Sequence, residues 1–361
     1  MSNKHLPHDL AQMQSLPLEA KIVMSQQRIR QWYDHWGGMV YVSFSGGKDS
    51  TVLKHLVENT PGIGEVPSLF VNTGLEYPEI QKFAMSQPNV ITVRPEMRFD
   101  EVLKKYGYPV ISKEVSNTIR GAKNSIKKGR YSLRLRQLGV QKDEYGGLYD
   151  EGIHDYEKTV KKSKFLQTKW RFLLDSEFDI SEQCCQAMKK SPSHKYEKET
   201  GRKPFVGTLA CESMTREAAW IKKGCNAFEA KRPTSQPLSF WTEQDILHYI
   251  KKYNVPYCSV YGEIVVDDGD DDQVNLIDYI GEYEPGDKLK TTGCDRTGCI
   301  FCMFGCHLEK EPNRFQRLKE THPRQYQYCI GGGEMVDGKW QPSKEGLGLG
   351  KVLDYIGVDY K

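Results

Sequence analysis

Six residues, Ser45-Gly46-Gly47-Lys48-Asp49-Ser50, constrain this chain more than any other segment because of what flanks them. Met39–Phe44 (MVYVSF) is short, apolar and β-branched, the composition of a buried strand. Asp49–Glu58 carries Val52, Leu53 and Leu56 on one helical face. A strand that turns through two glycines into a helix aims the first helical N–H groups at the turn, and the glycines let an anion approach the backbone. Lys48 adds a point charge, and Asp49 can cap the helix or hold Mg2+ beside a phosphate. The spacing is not G-x-x-x-x-G-K-[ST], so the segment reads as a phosphate or pyrophosphate loop of another kind. A Gly-Gly turn beside a surface lysine is the bland alternative; the strand before and the helix after argue against it.

The surrounding pattern extends this to a fold class. Leu18–Trp36 spaces Ile22, Ile29, Trp32 and Trp36 as an amphipathic helix closed by Gly37-Gly38. Further strands are expected at Ser68–Asn72 and Val90–Val93, and Thr242 reads as the N-cap of a helix bearing Ile246, Leu247 and Ile250. Strands alternating with helices imply an α/β fold with a mainly parallel, doubly wound sheet. No window approaches the roughly 18 apolar residues of a membrane span. The start, MSNKHLPHDL, has no apolar signal region, so the expected location is cytoplasmic.

Charge is segregated. Residues 113–136 hold Lys113, Arg120, Lys123, Lys127, Lys128, Arg130, Arg134 and Arg136 against the single acid Glu114, whereas residues 262–287 hold ten acids and no Lys or Arg. The basic segment suits a phosphate backbone, DNA or tRNA, with a solvated helix face as the alternative. The acidic segment reads as an exposed insertion, Gly121–Lys164 as an exposed excursion, and the glycine-rich tail from Gly331 as a loose wrap over the surface.

Five segments in order carry a family resemblance: SGGKDS itself, VNTGLEYPE (Val71–Glu79), GYPVISKEVS (Gly107–Ser116), GTLACESMTR (Gly207–Arg216) and PLSFWTEQDILHYIKKYNVPYCSVY (Pro237–Tyr261). Together they resemble the phosphoadenosine phosphosulfate (PAPS) reductase family of the ATP pyrophosphatase superfamily. The resemblance implies a sheet of the adenine nucleotide alpha hydrolase type with a cysteine-rich C-terminal elaboration. It also implies binding of an adenine nucleotide, ATP with Mg2+, by Ser45, Gly46, Gly47, Lys48, Asp49, Ser50, Thr73 and Gly74. Lys48, Asp49, Glu212 and Arg216 become the candidate catalytic residues. The expected division is a helical segment 1–36, a nucleotide-binding domain 37–257, and a region 258–361 with the acidic insertion, the cysteines and the tail.

The chain has ten cysteines. Cys294, Cys299, Cys302 and Cys306 fall within thirteen residues, and Cys184-Cys185 are adjacent, so soft-metal ligands are expected here, with zinc and iron–sulfur both open on ligand chemistry alone. Cys211, Cys225 and Cys258 read as core residues. Cluster-bearing sulfonucleotide reductases and DNA phosphorothioation enzymes, which the chain resembles, pair a Cys-Cys with a downstream Cys-x-x-Cys around one [4Fe–4S] cluster. That resemblance assigns Cys184, Cys185, Cys299 and Cys302, makes zinc the lesser choice, and leaves Cys294, Cys306 and Cys329 without a role. Lys189, Lys190 and Arg296 are expected to offset thiolate charge.

The reductases also use a cysteine in a Glu-Cys-Gly-(Ile/Leu)-His motif, which is absent here, and commonly have a degenerate phosphate loop, which is intact here. The reading is therefore an ATP-dependent, adenylylating, pyrophosphate-releasing iron–sulfur sulfur transferase acting on nucleic acid, served by a sulfur-donor protein. A PAPS or adenylyl-sulfate reductase using Cys329 is the first alternative. A non-catalytic nucleotide-sensing subunit and an ATP sulfurylase small subunit follow.

Overall fold

The computed structural model describes residues 4–146, 149–150, 167–267 and 286–361. The chain forms two compact units: Met1–Arg94 with Pro192–Gly298, and Pro95–Ser191 with Cys299–Lys361. This division crosses the expected boundaries at 36 and 257. The helix Leu18–His35 does not stand apart, because Ile29 and Trp32 are fully buried in the same core as the strand Val40–Phe44. The chain also leaves the first unit after Arg94 and re-enters it at Pro192.

The first unit is built on a six-stranded sheet in the order Val90–Val93, Ser68–Val71, Val40–Phe44, Lys203–Val206, Thr234–Ser235, Asn226–Ala227. All neighbours run parallel except the last pair. Each parallel step needs a crossover, and the helices Lys48–Glu58 and Pro78–Ser86 supply the first two. The fold is α/β with a mainly parallel, doubly wound sheet, as expected from the sequence. Winding reverses at Val40–Phe44: the next two strands extend the sheet on one side and Lys203–Val206 pairs on the other, Val42 opposite Phe205. In such sheets the crevice beyond the carboxyl ends at the reversal is where ligands bind.

One buried ion pair ties two helices of this unit, Leu18–His35 and Glu243–Tyr253, to each other. Lys21 donates from Nζ to both carboxylate oxygens of Asp245, at 2.8 and 2.7 Å, with both residues buried. Asp245 also accepts from the backbone N–H of Thr242 at 2.6 Å and completes the expected cap of the helix Glu243–Tyr253.

The second unit holds a parallel pair, Val110–Ile111 with Met303–Phe304, followed after the first strand by the helix Lys113–Lys127. Here two expectations fail. Ala122, Leu135, Leu138 and Val140 are buried, so residues 121–140 are packed structure; residues 141–146 are mostly exposed, and residues 147–148 and 151–164 of the expected excursion lie outside the described residues. The tail is not a loose wrap either, since Leu347, Leu349, Val352 and Leu353 are buried around the helix Leu349–Tyr355. Glycine content misled because several of these glycines serve close backbone approach, Gly332 against Gly346 among them.

Most of the acidic run lies outside the described residues, but its flanks pair as a hairpin, Ile264–Val266 with Leu289–Thr291, where Asp267 meets Lys288 and Lys290. Among the described residues no helix is long and apolar enough to cross a membrane. Lys21→Ala should strip Asp245 of its buried partner and lower unfolding stability by about 3–5 kcal/mol; urea denaturation checks this, and an unchanged midpoint would show that the pair does not tie the helices.

Candidate nucleotide and thiol sites

The phosphate loop follows the strand Val40–Phe44, and the segment Gly207–Arg216 follows its parallel neighbour Lys203–Val206, so both emerge at the sheet edge where winding reverses. They meet closely: a Cβ on Gly207 would stand 3.0 Å from the carbonyl oxygen of Asp49. Within the loop the Ser50 hydroxyl accepts from the Ser45 N–H at 3.1 Å and donates to the Gly47 carbonyl at 2.9 Å, which holds the turn in shape. Gly46 has φ +76°, and a Cβ there would sit 3.0–3.1 Å from Ile80 and Ala84. Thr73 and Gly74 end the adjoining strand Ser68–Val71 on the same edge, where Thr73 bonds the Glu76 carboxylate at 2.7 Å and Gly74 has φ +73°.

Lys48 is buried. Its ammonium donates to the Asp295 carbonyl at 2.5 Å and pairs with Glu243 at 2.8 Å, and its backbone N–H donates to the Tyr261 hydroxyl at 3.1 Å. That hydroxyl also hydrogen-bonds Thr297 at 2.7 Å. Asp49 is pushed above the ordinary carboxylate range by burial, against which the charges of Lys48 and Arg296 act. A half-buried carboxylate is a hard oxygen donor that fits Mg2+. Glu212, on the short turn Ala210–Glu212, pairs with Arg216 one turn on and with Arg296. The sequence singled out Lys48 and the Glu212–Arg216 pair but not Arg296 beside Glu212, nor Glu243, Tyr261 and Thr297 around Lys48; those pairings span tens to hundreds of positions and leave no local signal.

All four assigned thiols belong to the second unit. Cys184-Cys185 precede the π-helical turn Gln186–Lys190, a conformation concentrated at functional sites. Cys302 ends a tight turn from Cys299, its N–H donating to the Cys299 carbonyl at 3.0 Å, and leads into the strand Met303–Phe304. Arg314 donates to the Cys302 carbonyl at 2.9 Å and is itself held by Glu309 at 2.7 Å. The Cys184 thiol is raised by its hydrogen bond with Cys185 and by burial, with Cys302 and Cys299 near enough to add to the rise. Cys185 is lowered by the same hydrogen bond, and Lys113 and Lys189 assist.

Among the described residues no three of Cys, His, Asp and Glu stand close enough to share one metal ion. A cubane cluster spreads four thiolates over four irons, and four half-buried thiols with adjacent lysines fit that donor set. Arg296, expected to offset thiolate charge, instead pairs with Glu212 in the first unit. Cys211, expected in the core, is exposed, while Cys225 and Cys258 are buried as expected. Cys306 and Cys329 are also buried; burial raises Cys306 to about 12, and its thiol donates to the Met303 carbonyl at 3.0 Å.

The basic segment is partly consumed by the fold. Arg120 pairs with Glu182 at 2.7 Å, and Lys123 donates to Ser176 and Phe178. Lys127, Lys128 and Arg130 remain exposed at the end of the helix.

The family model described as the phosphoadenosine phosphosulfate reductase domain matches residues 39–130 and 144–304. Sulfate adenylyltransferase subunit 2 of Agrobacterium fabrum is 24% identical over 274 residues, which is 71% of this chain and 71% of that protein. A phosphoadenylyl-sulfate reductase from Candida auris, solved as a phosphate complex, overlaps loosely: TM-score 0.34 and 15% identity over 72% of this chain and 90% of that one.

Two glycine substitutions separate conformation from space in the nucleotide site. Gly46→Ala meets both a left-handed φ and close neighbours, whereas Gly74→Ala meets only the φ, with nothing within 4 Å. Chemical denaturation should show about 2–3 kcal/mol lost for the first and about 1 kcal/mol for the second; equal losses would mean that Ile80 and Ala84 do not confine the loop.

Proposed function

Because the chain belongs to the phosphoadenosine phosphosulfate reductase domain family, we propose that its phosphate loop binds ATP and serves an adenylylation that releases pyrophosphate, in support of sulfur transfer. One observation carries this reading: an intact Ser-Gly-Gly-Lys-Asp-Ser loop stands at the reversal of winding, with buried Lys48 and the Gly207–Arg216 segment beside it. The relative from Agrobacterium fabrum, a sulfate adenylyltransferase subunit by name, supports adenylyl transfer as the reaction class.

In the proposed step an acceptor oxygen attacks the α-phosphorus, the bond from that phosphorus to the bridging oxygen breaks, and pyrophosphate leaves. The loop N–H groups and Lys48 take up the charge that grows on the departing phosphates, preorganised donors in a site shielded from water. Asp49 would hold magnesium, which when bound neutralises part of that charge. Cys184, Cys185, Cys299 and Cys302 would hold a [4Fe–4S] cluster, which when bound supplies redox or sulfur-handling chemistry. Lys113 and Lys189 beside Cys185 would balance its thiolate. The proposed acceptor is nucleic acid, docked at Lys127, Lys128 and Arg130, with a sulfur-donor protein upstream. A reductase mechanism through Cys329 is disfavoured by its complete burial, since attack on a sulfonucleotide needs an accessible thiolate.

Pyrophosphate release from ATP, measured with DNA, tRNA and sulfate as acceptors, tests the reaction. It should fall at least about 100-fold in Lys48→Ala, and with nucleic acid it should weaken steeply as salt rises. Unchanged release in Lys48→Ala would remove the loop from the mechanism, and stimulation by sulfate alone would make the acceptor inorganic. Anaerobically purified protein should contain roughly four iron per chain, lost in Cys302→Ser and kept in Cys329→Ser. Stoichiometric zinc in place of iron would overturn the cluster.

A further inference from the structure

The cations of the nucleotide site are already paired with the chain's own oxygens. Lys48 is held by Glu243 and by the Asp295 carbonyl. Arg296, the next residue, is held by Glu212. Residues on both sides of Arg296 are pinned to the phosphate loop: Asp295 through Lys48, and Thr297 through the Tyr261 hydroxyl that also receives the Lys48 N–H. A Cβ on Gly47 would lie 3.3 Å from the Thr297 hydroxyl, so this segment forms a wall of the loop. The Arg296 side chain is half exposed, 51%, and therefore open to a ligand despite its partner. Its charge reaches Asp49, on the loop itself.

We propose that Arg296 is a second phosphate-binding cation of the nucleotide site, held by Glu212 before nucleotide arrives as Lys48 is held by Glu243. The proposal rests on the reading of Ser45–Ser50 as a nucleotide loop and adds to it a residue outside the loop and a competition. A polyphosphate reaching the loop takes the place of carboxylates that hold the same cations. Planar guanidinium suits the task, since it can grip two phosphate oxygens at once and passes from carboxylate to phosphate without changing its hydrogen-bonding geometry. Lys48, a point charge on a flexible stem, needs only a modest swing away from Glu243. Glu243 keeps the buried Lys48 ammonium from standing uncompensated in the empty site, which is costly.

Calorimetric titration of the full chain with inorganic pyrophosphate and with ATP, in a chelator so that magnesium does not enter, tests this. Arg296→Gln should weaken pyrophosphate binding roughly tenfold, and Arg296→Lys should recover part of the loss. Glu243→Gln, which frees Lys48 from its competitor, should tighten binding several-fold, while Glu243→Asp, which keeps the charge, should stay nearer the parent. Thermal unfolding of each variant identifies any loss that comes from misfolding, and the tightening in Glu243→Gln is an outcome that misfolding cannot produce. If the parent binds pyrophosphate, Lys48→Ala abolishes binding and Arg296→Gln leaves it within twofold, the assignment of Arg296 fails alone. If Glu243→Gln binds no tighter, the competition fails. If the parent binds neither probe, or Lys48→Ala binds as well as the parent, the nucleotide-loop reading fails with it.

Discussion

Parallel pairing of Val40–Phe44 with Lys203–Val206 is the constraint from which the nucleotide site follows. It brings together two loops some 160 positions apart in sequence, because each leaves the carboxyl end of its strand on the same edge. Gly207 allows the second loop to reach the backbone of Asp49, where a side chain would press against a carbonyl. The register is held by burial on both faces: Val40, Val42 and Phe44 lie in the core with Phe205, and a slip of one residue would move that set to the opposite face, where Tyr41 and Leu69 pack with Tyr196. Everything proposed for the site depends on that edge being continuous.

Electrostatics then decide what the edge can hold. Lys48 is buried and Asp49 half-buried at a helix start, and the ammonium is balanced by Glu243 from the first turn of a different helix. That helix is fixed by its own buried pair, Asp245 with Lys21, and by the Thr242 cap. The position of Glu243 therefore comes from packing elsewhere in the unit. A site neutralised in this way is stable when empty and favours a ligand of high negative charge, since only such a ligand competes with carboxylates already in place.

Much of this was legible in the sequence. The strands at 40–44, 68–71 and 90–93 and the helix from the loop to Glu58 lie within a residue of their expected limits, because hydrophobic period and glycine turns are local signals. The Thr242 cap was legible for the same reason. Arg296, Glu243, Tyr261 and Thr297 were not, since their roles come from tertiary approach. A lone cysteine next to Ala210 reads as core, whereas Cys211 is exposed. The basic run overstated its surface charge: Arg120 and Lys123 are spent inside the second unit. Membership of the four thiols in one unit came from the fold, and their selection from family resemblance rather than spacing.

The central claim is that the loop directs attack to the α-phosphorus of ATP. Phosphorus-31 NMR of ATP incubated with the intact protein, magnesium and a panel of nucleic-acid and inorganic acceptors reads the cleaved bond directly. The expected products are inorganic pyrophosphate and an adenylyl product or AMP. Formation of ADP and orthophosphate, or ATP left intact with every acceptor, would contradict it.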